Sequence, residues 1–139
     1  MATRTAAEVA ASYWDRVQAR DWPAVRALLA PEVVLEWPAS GERFRGPEAL
    51  VAVNSEYPEG WSIEVVRAVP GPDGGTAVTE VVVPHEGVGV FAVASFWTVR
   101  HGLVVALREY WVECGGEEPP SWRSGWAERY DGRPASALG

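Results

Sequence analysis

The stretch from residue 88 to residue 99 constrains the fold of this chain more than any other part. Its sequence, VGVFAVASFWTV, shows almost no alternation of polar and apolar residues. A strand built from it places apolar side chains on both faces of its sheet. An antiparallel sheet of this kind needs a cover on each side. Helices can cover one face, and a C-terminal segment or a second subunit must cover the other, so we expect a homodimer.

Four strand-like segments follow one another in the C-terminal half of the sequence. They span residues 62–69, 76–85, 89–100 and 103–113, and the turns between them are short and contain glycine. Because connections this short join antiparallel neighbours, the four segments predict a meander.

The N-terminal half has helical periodicity that is interrupted by one short strand. Val9, Tyr13 and Val17 repeat at four-residue spacing, and Thr5 with Glu8 has the pattern of a capping box. The predicted elements are a helix over residues 5–20, a second helix from Asp21 to Pro31, a strand over 33–37, a polar loop over 38–46 and a third helix over 47–55.

Length, charge and cysteine content exclude several classes of protein. The 139 residues suit one domain with a single core, and a net charge of −7 disfavours nucleic acid as a partner. No apolar run reaches the length of a membrane span, and the N-terminus lacks the apolar core of an export signal. The single cysteine, Cys114, fits a reducing cytoplasm. Together with His85 and His101 it shows no metal-binding spacing, so we expect no metal site.

The last residues, from 114 to 139, differ in composition from the rest of the chain. We expect one domain over residues 1–139, with a core over 5–113 and an extension over 114–139. The extension is rich in glycine and proline and carries Trp122, Trp126 and Tyr130 at four-residue spacing. This spacing predicts a short amphipathic helix followed by a loose tail.

Glu109 is the residue that points most directly to chemistry. It lies in the apolar run over 102–112, between Leu107 and Trp111, which share its face of a strand. A carboxylate in such surroundings is costly unless it is paired, hydrogen-bonded or functional. If this face lines a cavity, burial raises the pKa of Glu109 toward the range useful for acid–base catalysis. The alternatives are an ion pair with an arginine and a water-exposed edge strand.

The order of the elements resembles the nuclear transport factor 2-like superfamily, and within it the SnoaL-like branch of small bacterial proteins. The resemblance rests on residues 19–29 (ARDWPAVRALL), 34–46 and 100–111, and it extends over 5–113. It implies an α+β cone in which three N-terminal helices pack on a curved, mostly antiparallel sheet and enclose an apolar pocket. Members include polyketide cyclases, ketosteroid isomerases, limonene-epoxide hydrolases and proteins that only bind, so the fold alone does not decide the function.

The catalytic pattern of the ketosteroid isomerases is only partly present. Their oxyanion-donating tyrosine matches Tyr13. Their general-base aspartate matches Trp37, and their second oxyanion donor falls near Ala94. Steroid isomerisation by the family's route is therefore disfavoured.

Two other branches of the family give different matches. The arginine and aspartate of limonene-epoxide hydrolases match Val81 and Val83, so that water-activating arrangement is missing. The acid on the last strand, which is the catalytic base of SnoaL-like cyclases, matches Glu109.

Strand alternation and the family's geometry together define the expected site. We expect Glu109, Tyr13 and His85 to be catalytic, with Glu109 as the proton shuttle, Tyr13 as the donor to a substrate oxygen, and no cofactor. His85 has the alternative of a surface turn residue. The expected ligand-binding residues are the other inward-facing side chains, Trp37, Val81, Val83, Ala94, Phe96, Leu107 and Trp111.

The sequence leaves more than one function open. The first is a cofactor-independent acid–base enzyme of cyclase, isomerase or hydrolase type that acts on a small apolar molecule. The second is a non-catalytic carrier of an apolar ligand, which is favoured by the missing catalytic partners at Trp37, Val81 and Val83. The third is an interaction module that uses the outer face of the sheet.

Overall fold

Three helices packed on one face of a six-stranded sheet form the body of the protein in a computed structural model that describes residues 3–135. The α+β cone expected from the sequence is confirmed. The helices are α1 (Ala6–Gln18), α2 (Trp22–Arg26) and α3 (Pro47–Ser55). The strands are β1 (Leu29–Trp37), β2 (Glu42–Arg45), β3 (Glu64–Pro70), β4 (Thr76–His85), β5 (Gly89–Arg100) and β6 (Leu103–Glu113).

The sheet has the strand order β2-β1-β6-β5-β4-β3. β1 and β6 are parallel, and all other neighbours are antiparallel. The strand that carries Glu109, β6, is therefore central, with β1 on one side and β5 on the other. The alternative of a water-exposed edge strand is wrong. The predicted meander of the last four strands is confirmed.

The first helix begins as the sequence predicts. The Glu8 amide donates to Thr5 Oγ1 over 3.2 Å, and the Thr5 amide donates to Glu8 Oε1 over 2.9 Å, which completes the capping box. Val9, Tyr13 and Val17 are fully or almost fully buried against the sheet. The four-residue spacing thus marks the face of α1 that closes the cone.

Two predicted boundaries in the N-terminal half are wrong. The second helix ends at Arg26, and Pro31 lies inside β1 rather than ending a helix. A proline is tolerated there because the pairing of β1 with β6 is irregular between Leu29 and Val34, so no ladder hydrogen bond is lost. The predicted polar loop over residues 38–46 contains β2, which pairs with the end of β1.

A β-bulge on β6 sets which residues face Glu109. Val99 pairs with Val104 beside the turn, and the next residue of β6, Val105, has no partner on β5. One extra residue shifts the rest of the pairing by one position and bends the strand. As a result, Ser95 lies directly opposite Glu109.

The C-terminal extension does not form the predicted amphipathic helix. Its only regular structure within the described residues is a single 3₁₀ turn over Ser121–Arg123. Trp122, Trp126 and Tyr130 are all highly exposed, so no core holds them in helical register. The segment instead turns back on itself. Gly132 lies so close to the backbone of residues 114 and 115 that a side chain at this position would collide with it. Within residues 3–135, no helix is long and apolar enough to cross a membrane.

One buried hydroxyl links the helical layer to the sheet. Thr79 on β4 is fully buried, and its Oγ1 accepts from Trp14 Nε1 over 3.1 Å and from Trp97 Nε1 over 2.8 Å. Both lone pairs of the hydroxyl oxygen are therefore in use. Three elements, α1, β4 and β5, meet at this atom.

Replacing Thr79 with valine should destabilise the fold strongly. The substitution keeps the shape but leaves two buried indole N–H groups without an acceptor, at a cost of about 3 kcal/mol in the free energy of unfolding. Urea denaturation measures this change. Thr98→Val is the matched control, since Thr98 lies on the outer face of β5 and makes no side-chain hydrogen bond in the described part of the chain. Equal effects of the two substitutions would contradict the prediction.

Candidate active site

The Glu109 carboxylate lies inside the cone and is held by two neutral donors. Only 2% of the residue is exposed. Trp37 Nε1 donates to Oε1 over 3.0 Å, and Ser95 Oγ donates to Oε2 over 2.8 Å. Trp37 stands at the end of β1 and Ser95 on β5, so the two neighbouring strands each fix one carboxylate oxygen. Because both donors are uncharged, they orient the acid without neutralising it.

Glu109 has no cationic partner among residues 3–135. The ion pairs of this part of the chain use other acids, so the alternative of an arginine pair is wrong. Burial raises the pKa of Glu109, and the hydrogen bonds from Trp37 and Ser95 oppose this rise. The indole N–H of Trp111 also favours the carboxylate electrostatically, but it forms no well-aligned hydrogen bond and is buried without a partner.

A cavity of about 400 Å³ opens beside the Glu109 carboxylate. Its walls come from the end of β1, the hairpin to β2, helix α3 with the residues after it, and strands β5 and β6. The lining side chains are mostly apolar or aromatic: Trp37, Ala39, Ser40, Glu42, Val53, Asn54, Tyr57, Phe91, Glu109 and Trp111. An apolar wall with a few convergent polar groups is the usual form of a small-molecule site.

Tyr13 lies next to this site but does not line the cavity. It is fully buried, and Asn54 Nδ2 approaches its hydroxyl oxygen at 3.4 Å. Asn54 does line the cavity, so it stands between Tyr13 and the open space. Burial raises the pKa of Tyr13 well above its usual value, and the charge of nearby Glu109 raises it further. The sequence thus brings Tyr13 and Glu109 into one neighbourhood.

His85 is buried rather than a surface turn residue, and it lies outside the cavity wall. Its Nε2 is 3.1 Å from the Glu59 carbonyl oxygen, and its Nδ1 is 3.0 Å from the Tyr57 hydroxyl. Because a carbonyl only accepts, Nε2 carries the proton and Nδ1 accepts from Tyr57. Since Tyr57 lines the cavity, His85 reaches the site through that hydroxyl.

The expected ligand-binding residues fall into three groups. Trp37 and Trp111 line the cavity with Glu109. The side chains of Val81, Val83 and Leu107 are buried in the core and do not line it.

Ala94 and Phe96 were expected to face inward, and this placement is wrong. The extra residue at Val105 shifts the pairing of β5 with β6 by one position. Ser95 therefore shares the inner face with Glu109, and Ala94 and Phe96 face outward. Phe96 is accordingly exposed and lies near Arg108 on the outer face.

Eight residues at the site were not predicted from the sequence: Ser95, which bonds to Glu109, and the lining residues Ala39, Ser40, Glu42, Val53, Asn54, Tyr57 and Phe91. Ser95 had a signal, since it is the one polar side chain between residues 88 and 97. A lone hydroxyl in a segment that is otherwise buried needs a partner. Asn54 and Tyr57 had no such signal in the sequence, because their position over the cavity depends on how α3 crosses the sheet. Within residues 3–135, no group of three His, Cys, Asp or Glu side chains is placed to hold a metal ion.

A family model described as the SnoaL-like domain matches residues 10–107. The chain belongs to the SnoaL-like family. This places it in the nuclear transport factor 2-like superfamily, as the resemblance implied. A search of curated proteins found no match.

Solved structures show the same fold with several attached functions. A provisionally assigned ketosteroid isomerase from Kribbella flavida is 32% identical over 96% of this chain and 94% of its own, with a TM-score of 0.81. A nuclear transport factor 2-like protein of unknown function from Burkholderia xenovorans is 27% identical over 88% and 93%, with a TM-score of 0.70. An LEH-like epoxide hydrolase from Mycobacterium tuberculosis is 21% identical over 77% and 82%, with a TM-score of 0.64, and shares the fold alone.

The stability of the protein should depend on pH through Glu109. Its folded-state pKa is raised, so the stability that its neutral form contributes is present below the unfolded value of 4.5 and is lost as pH rises through the folded pKa. Glu109→Gln cannot titrate, and its amide can accept from Trp37 and donate to Ser95. The variant should therefore gain stability relative to the native protein as pH rises from about 4 to about 8.

Urea denaturation at several pH values measures this difference. Glu113→Gln is the control, at an exposed position on the same strand. A difference for Glu109→Gln that falls with rising pH, or that Glu113→Gln reproduces, would contradict the assignment.

Proposed function

We propose that this protein is a cofactor-independent enzyme that moves a proton on a small, mainly apolar substrate, with Glu109 as the proton shuttle. The observation that carries the proposal is a buried carboxylic acid at the wall of an apolar cavity, with no counter-cation in the part of the chain that the structure describes. Burial of such an acid is costly for the fold, and two strands supply donors to hold it in place. Perturbed acids in a cleft are characteristic of acid–base catalysis.

An isomerisation needs no group beyond this acid and the substrate. The Glu109 carboxylate takes a proton from a carbon next to a carbonyl group, and the electron pair moves onto the carbonyl oxygen. The resulting acid returns the proton to another carbon of the same molecule. Atoms and charge balance without a cofactor, and the Kribbella relative's provisional assignment as a ketosteroid isomerase supports this reaction type.

Tyr13 and His85 take supporting roles in this proposal. The hydroxyl of Tyr13 accepts from Asn54, and Asn54 lines the cavity, so Tyr13 positions that amide at the cavity wall. His85 fixes the hydroxyl of Tyr57 at another part of the wall. The chain contains no lysine, which excludes an imine between a lysine of this chain and a carbonyl substrate.

A second candidate is a non-catalytic carrier of an apolar ligand. It is favoured by the position of Tyr13, because the expected oxygen donor does not itself line the cavity. A carrier quenches tryptophan fluorescence on binding its ligand and returns the ligand unchanged. Chemical conversion of the bound ligand would refute this candidate.

Proton abstraction can be measured without knowing the natural substrate. A panel of small apolar ketones is incubated with the protein in D₂O, and exchange of their α-hydrogens is followed by proton NMR. We expect Glu109→Gln to lower the exchange rate by about 10²–10⁴-fold, the usual contribution of a general base. Exchange should also rise with pH as Glu109 ionises.

Glu113→Gln provides the matched control for this assay, since it removes a carboxylate from the same strand outside the cavity. It should exchange ketones at the native rate. Native-rate exchange by Glu109→Gln would remove Glu109 from the mechanism.

We also propose a homodimer that forms through the outer face of the sheet, in the cytoplasm. A groove of about 790 Å³ lies on this face. Phe96, Tyr110 and Val112 expose 43%, 43% and 59% of their surface on it or beside it. Contiguous apolar patches of this kind mark interaction sites. The location is supported by the single cysteine.

A charge in this face should prevent association. We expect the native chain to sediment as a dimer and Val112→Glu to sediment as a monomer, because a dry interface does not accept an unpaired carboxylate, and the cross-strand neighbour of Val112 is Ala92 rather than an arginine. Trp126→Glu, in the exposed C-terminal extension, is the control and should remain dimeric. A monomeric native chain, or a dimer disrupted only by Trp126→Glu, would contradict the outer-face interface.

A further inference from the structure

The walls of the Glu109 cavity contain an unusual concentration of aromatic rings. Trp111 stands in the middle, with ring centroids 6.4 Å from those of Trp37 and of Tyr57, and both neighbours are inclined steeply to it. Phe91 completes the set from β5. The face of an aromatic ring carries partial negative charge, so several rings around one space form an environment that attracts a cation.

The ionisable groups that line the cavity are acidic or neutral. Glu109 lies in the wall, and Glu42 lies on β2, where Ser40 Oγ donates to its Oε1 over 2.7 Å. Tyr57 is the other titratable side chain in the lining, and Tyr13 lies behind Asn54. Glu109 feels no opposing charge from a cation of the described residues.

The arginines on the lining strands β2 and β6 are Arg43, Arg45 and Arg108, and all three line the groove on the outer face rather than the cavity. Arg43 pairs with Glu36 over 2.7 Å at an exposed position. Arg20 pairs with Glu59 over 2.9 Å and lies 3.3 Å from the ring centroid of Trp61. That second contact shows the same chemistry that the cavity offers, but with the cation supplied by the chain itself.

The cavity provides poor support for a negatively charged group. Both hydrogens of the Asn54 amide are used, one by the Leu50 carbonyl and one by the Tyr13 hydroxyl. The hydroxyl hydrogen of Tyr57 is directed to His85. An anion would therefore meet two carboxylates and several ring faces, and the Trp111 N–H, which has no hydrogen-bond partner, already acts on Glu109.

We propose that the Glu109 cavity recognises a substituted ammonium group on an otherwise apolar molecule. The ring faces of Trp111, Trp37 and Tyr57 contact the alkyl groups of the cation, and Glu109 supplies the counter-charge. This inference rests on the proposed function, because it names the substrate class of the same site. It changes the expected substrate from a neutral apolar molecule to an apolar amine.

Recognition of a cation and proton transfer are coupled in this arrangement. Without ligand, burial favours the neutral acid. A bound ammonium favours the carboxylate, which is the form that abstracts a proton. Binding should therefore tighten as pH rises and should release a proton from Glu109 at any pH where the free acid is still partly protonated. With a neutral ligand of the same shape, Glu109 ionises only as the pH rises, so a charged substrate has the advantage at lower pH.

Two probes of equal shape test the proposal. They are the 3-hydroxyphenyltrimethylammonium ion and its uncharged isostere 3-tert-butylphenol, measured by tryptophan fluorescence in about 0.15 M salt to screen the general attraction of an acidic protein. We expect the cation to bind at least about tenfold more tightly. Calorimetry in buffers of different ionisation enthalpy should detect the released proton. Equal affinities, or tighter binding of the phenol, would overturn the proposal.

Three variants assign the preference to this cavity. Glu109→Gln should reduce the preference for the cation, and Trp111→Leu should reduce it while Trp111→Phe, which keeps a ring, retains it. Glu113→Gln should behave as the native protein. Retention of the full preference by both Glu109→Gln and Trp111→Leu would place the cation elsewhere and overturn the assignment.

The ketone exchange assay separates this inference from the proposed function. Exchange that depends on Glu109, together with equal binding of the two probes, leaves the enzyme proposal standing and removes the ammonium ligand. A strong cation preference without exchange keeps the ligand class and removes the enzyme.

Discussion

The structure depends on keeping one carboxylic acid in the interior with no counter-charge from any residue between 3 and 135. Glu109 occupies a central strand, and nearly all of its surface is removed from water. Two hydrogen bonds from uncharged donors offset part of the cost, and the remainder raises the pKa of the acid. An arginine in place of either donor would lower that cost and also fix the acid as an ion pair. The neutral surroundings keep both protonation states within reach.

The order of strands explains how the two donors reach the same side chain. β1 runs parallel to β6, so its last residue, Trp37, extends along β6 as far as Glu109. β5 runs antiparallel on the other side and presents Ser95. In a meander, the preceding strand β5 supplies a neighbour on only one side of Glu109. The second neighbour is β1, which lies early in the chain and is separated from β6 by β2, α3 and three further strands.

Much of the fold could be predicted from the sequence because its strands have clear ends. Strands β4, β5 and β6 begin and end at the expected residues, since turns with glycine bound each of them. The site was less accessible, because a bulge at Val105 has no signature in a run of residues that are all apolar. A regular two-residue hairpin would place Ala94 opposite Glu109, and one extra residue puts Ser95 there instead. Contacts made by α3, such as that of Asn54 with Tyr13, depend on where the helix lies over the sheet, and the periodicity of the sequence does not predict this position.

The hydrogen bond from Trp37 to Glu109 has an optical consequence. Indole absorption and emission respond to the charge of the group that accepts from the ring N–H, and the Trp37 N–H donates to Glu109, the one buried carboxylate among residues 3–135. A change in the protonation of Glu109 should therefore alter the near-ultraviolet spectrum of Trp37. Trp37 thus serves as an intrinsic spectroscopic probe of Glu109, and the titration of this acid can be followed without a label or a substrate.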